Sequence, residues 1–484
     1  MKHQLRWITI AVIYASFVQI LCRELTGSQS QEDNKITSLP GQPNVSFQQY
    51  GGYIAVDESQ NRALFYYFVE AESDPDSKPL VFWLNGGPGC SSLGGGGFSE
   101  NGPFRPTSAG TLLQNDYSWN KEANILYLES PAGVGFSYSK NSSFYDHVND
   151  TITAQDNFIF LQNWLLKFPQ YKNRDLYITG ESYAGHYVPQ FAQLIVQSGL
   201  QTNLKGIAIG NPLMEFDTDI NSIGDYYRSH GLISDEAFQF LSVTCNISRL
   251  QKEQLHGHVS ASCQQVELLL SEEIPQDINP YDITADNCLS DSKSPRTKPW
   301  NYVFRPTFRY SSSNPKSQKS INHPKVEVDP CLGGEVDDYL NRKDVQEALH
   351  AQLVDISNWT GCSVLVRYDL NNVFIPTINV VGSLVESGIR VLIYSGDQDS
   401  VIPFIGSRAV VKNLATNLGL NATGYYRAWF ENQQIGGWTQ TYGGGKLTFA
   451  TIRGAGHLAP YTSPRRSLAF FKAFISGKPL PEAY

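Results

Sequence analysis

The stretch Arg174 to Pro189, RDLYITGESYAGHYVP, admits few local structures. Asp175 to Thr179 is a short β-branched and aromatic run, Gly180 and Gly185 bracket a turn, and from Tyr187 onward apolar residues recur at helical spacing. Strand, sharp turn and helix follow in that order. A serine at such a turn is pushed out beyond the sheet edge, and small neighbours let the backbone take strained angles. Ser182 is therefore a candidate nucleophile. Its setting reads Gly-x-Ser-x-Ala rather than Gly-x-Ser-x-Gly, so the motif takes its weight from the rest of the chain.

Two alternating apolar runs, Tyr50 to Val56 and Ala63 to Val69, flank Asp57 to Asn61 and predict a hairpin at the antiparallel edge of a sheet. Upstream of it, residues 23–47 read as a loose polar leader. Pro79 to Leu84, Ile125 to Glu129, Leu176 to Thr179 and Gly206 to Ile209 are short, nearly continuous apolar runs, as in strands buried on both faces. Thr153 to Phe168 is apolar at helical spacing and stops before Pro169. This alternation predicts an α/β fold with a mostly parallel central sheet and helices on both faces. After Asn211-Pro212 the rhythm breaks. Residues 213–345 read as a helical insertion, with helical pieces at Asp235 to Leu241 and Gln265 to Leu270 and a flexible basic loop over 290–325. The core, begun over 48–212, resumes over 346–484. There the pattern gives a strand at Arg390 to Tyr394, a helix at Phe404 to Asn417, a strand at Leu447 to Ile452 and a closing helix at Pro464 to Ile475.

A serine hydroxyl needs a base to take its proton, and the base needs a carboxylate to orient it. Both should sit on loops at the carboxyl ends of later strands, where open α/β sheets place their sites. The strand RVLIY runs into Gly396-Asp397-Gln398-Asp399, and KLTFATI runs into Gly454-Ala455-Gly456-His457. The order Ser, Asp, His is that of the α/β-hydrolases. A lone histidine is more often a satisfied surface group; the order and the flanking glycines favour a catalytic His457. Asp397 and Asp399 compete for the acid, the other bracing the loop. The Gly-rich block WLNGGPGCSS follows a buried strand, so its backbone N–H groups can approach a ligand. An N–H from this loop, at Gly87, and that of Tyr183 after the nucleophile would make an oxyanion hole.

Other function classes are poorly served. A formal net charge of −9 and a pI near 5.5 leave no basic face for nucleic acid. No cysteine spacing suits a zinc site, so neither a metal nor an organic cofactor is expected. Residues 1–22 are basic and then apolar over signal-peptide length, too short for a membrane span, and an uncleaved anchor is the competing reading. Beyond them remain Cys90, Cys245, Cys263, Cys288, Cys331 and Cys362, an even number that predicts three disulfides in a secretory context. Sequons at Asn44, Asn141, Asn149, Asn246, Asn358 and Asn421 agree with passage through a glycosylating compartment. The destination is extracellular or a vacuole- or lysosome-like compartment, with no membrane association after cleavage.

Four blocks, Trp83 to Leu93, Gly180 to Pro189, Gly396 to Asp399 and Gly454 to His457, together with Glu100 to Phe104 and Ser130 to Tyr138, resemble serine carboxypeptidases of the carboxypeptidase Y and cathepsin A type. The plant serine carboxypeptidase-like proteins resemble the chain more closely still. The resemblance runs from Gln48 to the C-terminus and implies an α/β-hydrolase fold with the triad Ser182, Asp399 and His457. It also implies that Asn85, the Gly86 N–H, Glu100 and Glu181 grip a substrate's terminal carboxylate. Two glutamates facing a carboxylate must carry protons, because like charges in a dry site repel. Such a site favours acid and takes peptide or protein C-termini as partners. The family pattern further implies the pairs Cys90–Cys362, Cys245–Cys263 and Cys288–Cys331, and leaves a homodimer open. The chain carries Gly94 to Gly97 before Glu100, one residue more than the family pattern. The expected activity is hydrolysis of a C-terminal peptide bond through an acyl-enzyme. An acyltransferase using an acyl-glucose donor is the alternative, but relatives of that kind tend to carry Asp before the nucleophile and Thr in the Gly-rich block, where this chain has Glu181 and Asn85. A secreted binding protein that keeps the fold without activity is a third reading, and its signature, a lost triad residue, is absent.

Overall fold

The computed structural model describes residues 31–275, 277–288 and 329–482. The expected signal segment 1–22 and the basic loop 290–325 lie outside the described residues.

The strands, in chain order, are β1 (Lys35–Ile36), β2 (Gln49–Asp57), β3 (Arg62–Val69), β4 (Leu80–Leu84), β5 (Phe104–Pro106), β6 (Leu112–Gln114), β7 (Asn124–Leu128), β8 (Tyr138–Ser139), β9 (Asp175–Glu181), β10 (Asn203–Gly210), β11 (Arg390–Gly396), β12 (Arg427–Glu431), β13 (Gln434–Tyr442) and β14 (Leu447–Ile452). The main sheet runs β1-β2-β3-β7-β4-β9-β10-β11-β14-β13-β12, with β8 on β3 and β5-β6 apart. From β7 to β14 neighbours are parallel; the flanks are antiparallel.

Burial on both faces follows from the period of two. Leu80, Phe82 and Leu84 of β4 enter one core, with Phe160 and Trp164 of α1 (Asp150–Lys167) and Phe191 and Ile195 of α2 (Ala184–Ser198). Val81 and Trp83 enter the other core, on the opposite face. Between the halves lie α3 (Phe216–Ser229), α4 (Asp235–Thr244), α5 (Ile247–Leu255), α6 (Ala261–Glu273) and α7 (Leu332–Leu340), followed by α8 (Lys343–Ala348). Then come α9 (Ile378–Glu386), α10 (Phe404–Asn417), α11 (Ala459–Thr462) and α12 (Pro464–Ile475). Val381 and Val410 of α9 and α10 join the first core; Val336, Val345 and Phe470 of α7, α8 and α12 join the second.

Local rules account for several helix ends. Asn149 caps α1 by accepting from the Ile152 N–H, and α2 stops at Gly199 in a left-handed conformation. Pro189 lies inside α2, where it cannot donate to the carbonyl of Gly185. The Thr377 hydroxyl, from the resumed core, donates to that carbonyl at 2.7 Å instead.

Two sequence expectations are corrected. The predicted hairpin is β2–β3, but β1 pairs outside it, so the edge strand comes from the supposed loose leader. Ile36, Leu39 and Phe47 of that segment are buried in the second core, which apolar residues isolated among polar ones do not announce. The opposite edge is the β12–β13 hairpin, which was missed because Gly436 and Gly437 interrupt its alternation. The three disulfides are Cys90–Cys362, Cys245–Cys263 and Cys288–Cys331. Asn44, Asn141, Asn246, Asn358 and Asn421 are exposed, whereas Asn149 is half-buried at its cap.

Candidate active site

Five adjacent strands, β4, β9, β10, β11 and β14, deliver the candidate residues at their carboxyl ends. Asn85, Gly86 and Gly87 follow β4; Ser182 and Tyr183 follow Glu181, the last residue of β9; Asn211 follows β10; Asp399 follows β11; His457 follows β14. Residues up to 372 positions apart in sequence, such as Asn85 and His457, thereby share one sheet edge.

Ser182 has φ +62°, the left-handed angle a side chain adopts only when its surroundings impose it. Its amide donates to Gly210 O at 2.9 Å, and its carbonyl accepts from Gly185 N at 2.9 Å and Leu213 N at 3.1 Å. The Gly-rich loop lies directly on this elbow: a Cβ at Gly86 would stand 2.3 Å from Tyr183 N, so only glycine permits the approach. The two proposed oxyanion donors, at Gly87 and Tyr183, thus belong to segments in backbone contact.

The acid loop distinguishes its two aspartates. Asp399 Oδ2 accepts from His457 Nδ1 at 2.8 Å and from Asn211 Nδ2 at 2.7 Å, and Asp399 Oδ1 accepts from Val401 N at 2.7 Å. Asp397 instead accepts from Gly454 N at 2.7 Å and Gln398 Nε2 at 3.0 Å, bracing one loop against the next. Both Asp399 and His457 are buried. Sequence reading passed over Asn211, whose Oδ1 also accepts from Gly396 N at 3.1 Å. The available signal was an Asn-Pro directly after a buried strand; the φ of +42° that aims its side chain is a tertiary outcome. It also passed over Tyr281, an insertion residue whose carbonyl accepts from His457 N at 2.6 Å.

Beside Ser182, Asn85 Nδ2 donates to Glu100 Oε1 at 3.0 Å and Glu181 Oε1 at 2.9 Å. Asn85 is itself aimed by Trp83 Nε1 and Gly96 N, which donate to its Oδ1 at 2.6 and 3.0 Å. Glu100 and Glu181 are 1 and 2 % exposed and within hydrogen-bonding reach of each other, an arrangement that requires a proton between them. Burial pushes the Glu100 carboxyl up, partly offset by hydrogen bonds from Glu181 and Asn85. Burial and then the charge of Glu100 push Glu181 well above the carboxylate range.

Leu93–Glu100 is a π-helical segment, in which Gly97 N reaches Ser92 O and Asn101 N reaches Gly96 O. Each such bond spans one residue more than an α-helical bond, and at the end of the segment Glu100 meets Asn85. Tight packing explains the glycines: a Cβ at Gly96 would lie 2.2 Å from Trp83, whereas one at Gly97 would find ordinary contact at 3.6 Å. Gly96→Ala should therefore displace Trp83, lower stability by about 1–3 kcal/mol and raise KM, while Gly97→Ala stays near wild type. Urea unfolding and KM for both variants check this.

The serine carboxypeptidase family profile matches residues 40–477. Two Arabidopsis thaliana proteins, serine carboxypeptidase-like 45 and 46, are each 53 % identical to the chain, over 99 % of it and 99 and 100 % of their own lengths. In structure the chain is similar to KEX1(delta)p, a prohormone-processing carboxypeptidase of Saccharomyces cerevisiae, with a TM-score of 0.68 and 22 % identity over 93 % of this chain and 97 % of that one. That likeness bears on the fold alone, an α/β-hydrolase fold with helices on both faces of a mixed sheet. A profile match of this extent, with relatives of this identity along the whole chain, shows that the chain belongs to the serine carboxypeptidase family of serine-type hydrolases.

Proposed function

We propose that this hydrolase releases C-terminal amino acids from peptides and proteins through an acyl-enzyme, in an acidic compartment of the secretory pathway. The observation that carries the reading is the Asn85-bridged pair of buried carboxyls beside Ser182. The Oε2 atoms of Glu100 and Glu181 are buried and accept no hydrogen bond from a donor among the described residues. A protonated pair with an amide donor suits a carboxylate, and a carboxylate next to the nucleophile defines a C-terminal residue.

Ser182 Oγ attacks the scissile carbonyl and His457 takes its proton, with Asp399 holding the imidazole so that Nδ1 carries a proton. The developing oxyanion takes the Gly87 and Tyr183 N–H groups. His457 then protonates the leaving amine, the free C-terminal amino acid departs, and water, deprotonated by the same histidine, hydrolyses the ester. Three disulfides support an oxidising compartment, and no helix among the described residues is long and apolar enough to cross a membrane.

A panel of N-blocked dipeptides tests the proposal. Free-carboxylate substrates should lose their terminal residue at acid pH at least about a hundredfold faster than their amides, since an amide offers the carboxyl pair no anion. Acyl transfer from an acyl-glucose to an alcohol without peptide turnover would replace this reading with the acyltransferase one.

A further inference from the structure

A second buried aspartate and histidine lie under the elbow, outside the chemistry described so far. Asp150, at the first position of α1, is 5 % exposed and accepts four hydrogen bonds. Its Oδ1 receives Tyr183 Oη at 3.0 Å and Tyr368 Oη at 2.7 Å; its Oδ2 receives His186 Nδ1 at 2.8 Å and Gln190 Nε2 at 2.9 Å. Burial raises this carboxyl, but the bond and charge of His186 and the bonds from Tyr368 and Gln190 outweigh it and hold Asp150 below the usual carboxylate range.

Two of these donors lead to the two sides of the oxyanion hole. Tyr183 is the residue whose own N–H forms one side; its ring lies parallel on His186, with centroids 4.4 Å apart. Tyr368 packs on Tyr187, with ring centroids 6.2 Å apart, and the Tyr187 hydroxyl accepts from Gly89 N at 3.2 Å, two residues beyond Gly87. We propose that Asp150 is a positioning residue for the oxyanion hole, a single buried carboxylate that fixes Tyr183 directly and Gly87 through Tyr368, Tyr187 and Gly89. An oxyanion donor acts only if it is held where charge develops, so a small loosening weakens the transition state more than the bound substrate. The proposal rests on the reading of Ser182 as nucleophile.

Hydroxyl deletions test it with little disturbance of packing. Tyr183→Phe and Tyr368→Phe should each lower kcat about tenfold at nearly constant KM, a fraction of the loss on removing a donor outright. Affinity for a peptidyl aldehyde, whose adduct with Ser182 carries the oxyanion, should fall by the same factor as kcat/KM. Binding of a non-hydrolysable dipeptide analogue with a free carboxylate should not change. Tyr171→Phe, which deletes a hydroxyl bonded to Glu70 in the first core, serves as the control and should leave kcat unaltered. Wild-type kcat and aldehyde affinity within twofold in both site variants would overturn the proposal, as would an equal loss of analogue binding, since either makes Asp150 a brace and nothing more. Labelling of wild-type Ser182 by a fluorophosphonate separates the two readings. An unlabelled wild type sinks the nucleophile assignment; a labelled one with unaltered variants sinks only this inference.

Discussion

Asp399→Asn is expected to lower kcat by about 10⁴, while Asp397→Asn, two residues away, stays within a few fold of wild type. The difference lies in what each carboxylate touches. An asparagine at 399 can turn its amide N–H toward His457 Nδ1, which then favours the tautomer with the proton on Nε2, where the base must be free to accept from Ser182. Either orientation of the new amide sets its NH2 against a donor, that of Asn211 at the Oδ2 position or that of Val401 N at Oδ1, so the support of the histidine is disturbed in both. At 397 both bonds, from Gly454 N and Gln398 Nε2, go to Oδ1, an acceptor that asparagine keeps, and both are remote from the proton transfer. Active-site titration with kcat and Tm for both variants decides the matter. Equal losses of kcat would mean that the acid loop acts as one unit and that the proposed triad is wrongly assigned.

Glu181→Gln should flatten the pH dependence of KM for free-carboxylate peptides, the second large effect. In the wild type the proton shared with Glu100 is held above the ordinary carboxylate range, first by burial and then by the mutual charge. On the proposed reading, the pair donates to the substrate carboxylate below that titration, and above it the pair is anionic and repels it. KM should therefore rise with pH, by about tenfold per unit once the single required proton is lost. A glutamine keeps a donor at every pH, so KM should stay nearly level through the same window, and amidated substrates should change little. Linkage has the same sign for stability. A carboxyl raised in the folded state binds its proton there more tightly than in the unfolded chain, so stability is highest below the unfolded pKa and falls as pH rises toward the folded one. Glutamine removes that contribution, and wild-type and variant Tm should diverge as pH rises. A wild-type KM profile in Glu181→Gln would remove the carboxylate pair from substrate recognition.

Much of this site was legible because its parts are local. Strand, turn and helix around Ser182 follow from β-branched residues, two glycines and a helical apolar period within sixteen residues. The loops carrying Asp399 and His457 follow from short apolar runs ending in Gly-Asp and Gly-His. The missed elements had no local signature: β1 is two residues long, the β12–β13 hairpin is broken by glycines, and Asn211 looks like any residue before a proline.

The sequence alone determined which residue types stand at the carboxyl ends of which strands, because alternation, helical spacing and glycine punctuation act over a few residues and need no partner. It could not choose between Asp397 and Asp399, since both occupy one short loop and differ only in which neighbour their side chains face. Nor could it say where Glu100 lands after the run Gly94 to Gly97. Those outcomes belong to the tertiary structure. Parallel pairing of β4 with β9 and of β10 with β11 brings Asn85 against Glu181 and Asn211 against Asp399, and the π-helical turn lets Glu100 reach them both. Such contacts join residues far apart in the chain, and their geometry is set by sheet register and packing of the Gly-rich loop on Trp83 and Tyr183 rather than by any residue's own preference.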